Sequence, residues 1–589
     1  MSSLCRALRK TGAVFATLCF TLPTTLLAQN TDLSGVWSAE REYGRWIEGP
    51  VAVHQTDNAE WTAVVQGSAV PVAIDDAGNW HFKFPGQGEF IGWQSEKAGT
   101  IHGHWIQPPG VIAGYRHAQP VPLTRQRDGN YTGEIRPFRQ RVSLNISLSA
   151  IEERSRTYRT FLRNPERNLG VYFRIEEATE SDGSLLFADR DGNTLTTAEL
   201  SDDRQSFRMF YPRFGETLVF TRRDRNTATA FYPRLTDKSV KALQSPVVVA
   251  DGWQTAPPES VGFDESRLLA FVNEMVAFEP TGLRQPYLHS LLIARDGKLV
   301  FEEYFHGYHR DQTHDSRSAG KTIGSILLGI ALRDGALPSI DEPVYPLYGG
   351  VDAFANPDPR KAEITLRHIV SMTAGFDCDD DNYDNPGNED IMQEQRAEPD
   401  WYRYALSLPL VRAPGERGVY CTGGINLIGG AVEAVTGKTL LRLFEEEVAR
   451  PLGIDQYFYN LMPTGQAYLG GGIRLRPRDF LKLGQAYLDG GEWGDYRLVS
   501  ESWVNDSLAP ATTLFQQDDY GFSWWRRVYT VAGRDIQTHY ASGNGGQMLF
   551  VIPELNITMM INAGNYSDGR TRNHLRDRIL QEFVLPAAL

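Results

Sequence analysis

Between Leu33 and about Arg225 short apolar and polar runs alternate, broken by turn clusters such as Asp75-Asp76-Ala77-Gly78-Asn79 and Asp191-Gly192-Asn193. A period of two puts successive side chains on opposite faces of a strand, so a stretch this long with almost no helical periodicity must fold as β-structure. Strand spacing divides it into two β-rich units, residues 29–126 and 127–225, that echo one another. The first opens with Leu33-Ser34-Gly35-Val36-Trp37 and the second with Tyr131-Thr132-Gly133-Glu134. Small antiparallel barrels or sandwiches satisfy the pattern, because closing a sheet removes its exposed edges. The pattern leaves open whether these units form a pocket or a scaffold.

The periodicity changes after a linker at residues 226–258, which carries Pro233, Pro246, Pro257 and Pro258. From Asp264 to Phe278 the spacing of Phe263, Leu268, Leu269, Phe271 and Met275 predicts a helix. Two strands follow, Leu288 to Ala294 and Leu299 to Tyr304, joined by the turn composition Arg295-Asp296-Gly297-Lys298. The nearly uncharged run from Ile323 to Leu332 predicts a buried helix. Residues 259–589 therefore form an α+β domain, a sheet flanked by helices.

With 59 Lys+Arg against 73 Asp+Glu, the net charge of −14 argues against a polyanionic partner, since nucleic-acid binding depends on clustered cations that displace counterions. The Arg-rich piece Thr221-Arg222-Arg223-Asp224-Arg225 is too short to change this. Residues 1–28 have the form of a secretory signal: Arg6, Arg9 and Lys10, then an apolar stretch from Gly12 to Leu27 interrupted by Pro23, with cleavage expected near Ala28. The stretch is too short and broken to serve as a transmembrane anchor, so the expected product is exported, periplasmic or secreted, with its balance moved from −14 to −17. Cys5 and Cys19 leave with the signal. Cys378 and Cys421 remain in an oxidising compartment, either as separate buried thiols or as a pair.

Two Gly-Lys-Thr triplets suggest a phosphate-binding loop, but Asp315 and Val432 stand where the preceding Gly is required. Asp377, Asp379 and Asp381 alternate like the start of a calcium loop. Asn382 replaces the turn Gly, however, and Asn388 the bidentate Glu, so whether the 377–384 loop holds a cation stays open. No His-Glu-x-x-His occurs, and no metal site is assigned. Ser318-Ala319-Gly320-Lys321 is different. On a helix, positions i and i+3 share a face, so the hydroxyl and the amine would lie side by side. A Ser at a helix start keeps a free backbone N–H, and a partly desolvated Lys can act as the base that a weak hydroxyl nucleophile needs.

From about Asp251 to Glu582 the chain resembles the serine hydrolases of the class C β-lactamase family, which includes DD-peptidases, esterases and amide hydrolases. Seven ordered blocks carry the resemblance. They are Ser318-Ala319-Gly320-Lys321, the run from Ile364 to Gly375, Pro414-Gly415-Glu416, Tyr420-Cys421-Thr422 with Gly424 to Gly429, Pro451-Leu452-Gly453, Gly471-Gly472-Ile473 with Asp479, and Tyr520-Gly521-Phe522-Ser523-Trp524. The resemblance implies a β-lactamase/transpeptidase-like fold in which Ser318 is the nucleophile, Lys321 its partner and Tyr420 the tyrosine of the second motif. An adjacent ammonium would favour the phenolate of Tyr420, so Lys and Tyr are expected to titrate as a pair.

Departures from the family pattern bear on substrate. Thr422 stands where the second motif often has Asn, and the third motif's counterpart, Ala541-Ser542-Gly543, has lost its cation. Thr422, Ser542 and Gly543 are the implied substrate contacts. Without the cation, recognition of a substrate carboxylate would need an Arg from elsewhere. The N–H groups of Ser318 and Asn544 are the implied oxyanion donors. The family places Cys378 and Cys421 near the mouth of the site, so a disulfide is implied, closing a loop of about 44 residues worth roughly 4 kcal/mol. The sequence thus points to a serine hydrolase that cleaves a small-molecule or short-peptide ester or amide through an acyl-enzyme, with no cofactor required. The alternatives are a penicillin-interactive β-lactamase or DD-peptidase and a non-catalytic binding or sensor protein on the same fold.

Overall fold

The computed structural model describes residues 32–43, 47–94, 99–108, 116–138, 141–234, 239–515 and 518–589. The expected signal sequence lies outside the described residues. Eight antiparallel strands close a barrel: Gly35–Glu42, Arg141–Ala150, Thr157–Arg163, Glu177–Ser181, Ser184–Ala188, Thr194–Leu200, Ser206–Tyr211 and Glu216–Arg223. Closure is made by Gly35–Glu42, which pairs with Arg141–Ala150 on one side and Glu216–Arg223 on the other. Inward-facing Trp37, Ile146, Phe187, Phe207 and Phe220 fill the interior, as the alternation predicts.

This arrangement corrects the two-unit division. The strand Gly35–Glu42 crosses the expected boundary near residue 127, while Tyr131–Ile135 belongs to a different sheet, where it pairs with Gly49–Gln55 and Leu123–Arg125. The two segments are not structural repeats, because strand spacing alone carries no information about partner choice. The second sheet is also not confined to the N-terminal region. Its strand Arg116–Pro120 pairs with Tyr457–Leu461, which continues through Ile473–Leu475 to His314–Asp315. The edge is thereby covered by the C-terminal domain, and the shared sheet ends three residues before Ser318.

The expected linker is likewise docked. Trp253 is buried and donates its indole N–H to the carbonyl of Arg478 at 3.1 Å, and Gln254–Thr255 adds a parallel edge strand beside Lys298–Tyr304. The main sheet of the C-terminal domain runs Gln254–Thr255, Lys298–Tyr304, Leu288–Arg295, Ile557–Ala563, Gln547–Ile552, Arg534–Gly543, Trp525–Val531, Asp518–Tyr520 and Thr512–Leu514.

Helix α1, Glu265–Ala277, is capped by Asp264, whose carboxylate accepts from Ser266 N. It buries Leu268, Phe271, Val272, Met275 and Val276 and packs against the C-terminal helical residues. Helix α2, Lys321–Arg333, is buried from Lys321 to Ala331 and packs on α3, Thr422–Thr436. Helix α4, Pro477–Leu488, covers the middle of the sheet, and α5, Gly569–Arg578, follows its strand Ile557–Ala563. Among the described residues no helix is long and apolar enough to cross a membrane.

Candidate active site

Ser318 sits on a tight 3-10 turn, Arg317–Gly320, that runs directly into α2. Two glycines let neighbouring backbone close around this turn. A Cβ on Gly543 would lie 2.4 Å from the carbonyl oxygen of Ser316, and one on Gly471, at φ +133°, would lie 2.3 Å from that of Arg317. The turn is therefore clamped between the end of strand Arg534–Gly543 and the Gly470–Gly472 segment. As a residue of the first turn, Ser318 keeps a backbone N–H with no intrahelical partner.

Lys321, 1 % exposed, places Nζ 2.8 Å from Ser318 Oγ and donates to the carbonyl of Gly470 at 2.7 Å. Burial pushes its ammonium below the ordinary lysine range, partly opposed by the carboxylates of Glu389 and Asp380. The structure brings Tyr420 to the same point: the Ser318 hydroxyl interacts with its phenol, and Lys321 Nζ lies 5.1 Å from its ring centroid. The expectation of a favoured phenolate is corrected. Burial drives the phenol well above its ordinary range, Asp380 and Glu389 drive it the same way, and the opposing pulls of Ser318 and Arg572 do not reverse this. Burial thus disfavours the charged form of both groups, the ammonium of Lys321 and the phenolate of Tyr420.

Cys378 and Cys421 form a disulfide with Cα atoms 5.4 Å apart, which ties the residue after Tyr420 to the acidic loop. Within that loop Asp380, the member that the calcium-like alternation skips, turns toward the site. It accepts from Thr422 N at 2.7 Å and from Glu389 N at 2.9 Å, and burial together with neighbouring Glu389 lifts it to about 6. Asp377 and Asp379 instead close turns, accepting from Asn385 Nδ2 and Asp381 N. Among the described residues no three His, Cys, Asp or Glu side chains group as a metal site would require.

The residues implied as substrate contacts divide. Thr422 is fully buried, its methyl side facing Gly470, and both its backbone N–H and its side chain engage Asp380. Gly543 lies against the Ser318 turn and Ser542 is half-buried beside it. Asn544 is exposed in the turn between strands Arg534–Gly543 and Gln547–Ile552, with its side-chain oxygen taking Ser567 N at 3.0 Å.

Sequence reasoning missed three residues. Asp380 comes from the loop considered only for a cation, and Glu389 from the first turn of the short helix Glu389–Glu394 that follows it. Arg572, on α5, lies beside Gly546 and acts on Tyr420 electrostatically, so it is a cation near the site that the third motif lacks. Nothing in the local sequence marks it. Phe515 and Trp525 flank Tyr420 at ring-centroid distances of 6.1 and 5.9 Å and form an apolar wall.

The Beta-lactamase family model matches residues 289–581, and this part of the chain belongs to the serine β-lactamase-like hydrolases. The chain is 23% identical over 316 residues to 6-aminohexanoate-dimer hydrolase of Paenarthrobacter ureafaciens, covering 49% of this chain and 76% of that protein. It is 28% identical over 105 residues to the D-alanyl-D-alanine-carboxypeptidase/endopeptidase AmpH of Escherichia coli, covering 15% of this chain and 27% of that one. Among solved structures, simvastatin synthase (LovD) of Aspergillus terreus superposes with a TM-score of 0.40 at 17% identity, covering 50% of this chain and 92% of that one.

Proposed function

We propose that the protein is an exported serine hydrolase that cleaves an ester or amide through an acyl-enzyme on Ser318. One observation carries this reading: a lysine amine held 2.8 Å from the Ser318 hydroxyl in surroundings that disfavour its charge. Neutral Lys321 takes the proton as Ser318 Oγ bonds to the carbonyl carbon. Tyr420, still protonated, is placed to hand a proton to the departing alkoxide or amine as the C–O or C–N bond breaks, and Lys321 then restores it. Water attacks the acyl-enzyme with the same pair moving protons in reverse order. The N–H groups of Ser318 and Asn544 receive the oxyanion, a contribution worth about a hundred- to a thousandfold per donor.

The relative from P. ureafaciens is named for hydrolysis of an amide dimer, which supports including linear amides among the substrates. Arg572 favours a second reading, a penicillin-interactive enzyme, because it supplies the cation that Ala541 does not. The disulfide supports export to an oxidising compartment. A panel of esters, linear amides and a chromogenic cephalosporin, run beside Ser318→Ala and a fluorophosphonate label, tests the proposal. Turnover and labelling that vanish in Ser318→Ala support it; turnover that survives, or no labelling of the native protein, would remove it.

A further inference from the structure

The N-terminal barrel extends toward the candidate site the loop Arg163-Asn164-Pro165-Glu166-Arg167-Asn168, which leaves the strand Thr157–Arg163. Its anchor is Arg163, 1 % exposed, whose guanidinium lies 4.1 Å from the Tyr287 ring centroid and donates to the carbonyls of Gly282 and Pro286. Beyond the anchor the loop touches Gly564 to Ser567. The Pro165 carbonyl lies so close to Gly564 that a Cβ there would stand 2.4 Å from it. Asn168, buried and left-handed at φ +50°, donates Nδ2 to the carbonyl of Tyr566 at 2.8 Å. Tyr172, just beyond the loop, places its hydroxyl 2.5 Å from Ser567 Oγ.

Gly564 to Ser567 in turn holds the turn that carries Asn544. Ser567 N donates to Asn544 Oδ1 at 3.0 Å, Asn565 N donates to the Gly545 carbonyl at 3.0 Å, and the Tyr566 ring lies against Gly545. On its other side the Tyr566 ring lies 5.1 Å below the guanidinium of Arg317, the neighbour of Ser318. The held turn contains two positive-φ glycines, Gly545 and Gly546, so its own backbone is permissive. A donor aimed at a developing oxyanion must be fixed to about half an ångström, which a turn with an exposed Asn544 followed by two positive-φ glycines does not achieve alone.

We infer that the barrel loop, through Asn168 and Tyr172, positions the Asn544–Gly546 turn, so that the barrel is a brace for the oxyanion site. Asn168 and Tyr172 are positioning residues, and the inference rests on the Ser318 acyl-enzyme reading for its effect on rate but not for its effect on the turn. Two measurements on the full chain separate these. Asn168→Gly keeps the left-handed backbone and deletes the amide, and Tyr172→Phe deletes only an exposed hydroxyl. Arg136→Ala, which breaks a remote contact between the N-terminal region and Asp455, serves as control.

Hydrogen exchange of peptides covering residues 543–547 and 564–568 should quicken in both variants and not in the control. With an activated ester, kcat should fall roughly ten- to hundredfold while KM changes little. Unchanged exchange at 543–547 overturns the brace. Faster exchange with wild-type kcat overturns its catalytic purpose. If the native protein shows no Ser318-dependent acylation, it is the hydrolase reading that falls, and exchange alone decides whether the barrel holds the turn.

Discussion

Asp380 accepts the backbone N–H of Thr422 at 2.7 Å, and the disulfide between Cys378 and Cys421 runs beside that bond. The acidic loop and the start of α3 are thus joined twice within a few residues of Tyr420, and the charge of the loop acts on Lys321 as a consequence.

This charge sets a pH dependence. Asp380 is held up to about 6, so above that pH it is ionised and sustains the ammonium of Lys321. Asp380→Asn keeps the acceptor for Thr422 N and removes the charge, so Lys321 should lose its proton more readily. The rising limb of kcat/KM against pH should move to lower pH; a limb that stays put or moves upward would contradict the assignment of Lys321 as base.

Replacing the base and the phenol should separate their roles. Lys321→Arg preserves a cation that cannot deprotonate, and acylation of Ser318 is expected to fall about a hundred- to ten-thousandfold in single-turnover measurements. Tyr420→Phe should lose less with an activated ester, whose leaving group needs no proton, than with an amide. Equal losses on both substrates would place Tyr420 elsewhere in the cycle.

Arg572→Ala tests carboxylate recognition. A charge-assisted hydrogen bond is worth about 1.5–3 kcal/mol, so kcat/KM for a carboxylate-bearing amide should drop roughly ten- to a hundredfold while a neutral ester is cleaved as before. Parallel losses on both would show that Arg572 acts through Tyr420 instead.

Thiol titration in denaturant should find Cys378 and Cys421 unreactive until a reductant is added. The paired Cys378→Ser, Cys421→Ser variant should unfold with about 2–4 kcal/mol less stability in urea, because the unfolded chain regains the freedom of the closed loop. An unchanged midpoint would show that the bridge contributes nothing to the fold.

Glu166 sits in the barrel loop, accepting from Ser143 N and Asn164 Nδ2, and burial raises it to about 7. A carboxyl raised from its ordinary 4.5 binds a proton more tightly folded than unfolded, so stability falls as pH rises from near 4.5 and levels off above 7. The cost at pH 8 is on the order of 3 kcal/mol. Thermal midpoints of Glu166→Gln should therefore exceed those of the native protein at pH 8 and converge with them near pH 5. A constant difference across this range would refute the linkage.

Much of the C-terminal domain was readable in advance because its signals are local. The apolar spacing of Leu268, Phe271 and Met275, the turn Asp296-Gly297 and the uncharged run after Lys321 each specify their own element, and the structure places α1, the hairpin and α2 there. The Ser318, Lys321 and Tyr420 trio was legible from ordered motifs. Its protonation was not, because a pKa depends on burial: the ammonium expected to favour a phenolate is itself destabilised, and the phenol is buried with it.

The sequence by itself determined the strand and helix periods and the pairing of a hydroxyl with an amine three residues on. Tertiary structure alone decided that Gly35–Glu42 closes a barrel with strands a hundred residues away, that Arg116–Pro120 pairs with Tyr457–Leu461, and that Asp380, Glu389 and Arg572 gather around Lys321 and Tyr420. The physical reason is one of range. Propensity, capping and turn chemistry act over a few residues, whereas strand partners and buried charges are chosen by which surfaces the whole fold brings out of water together.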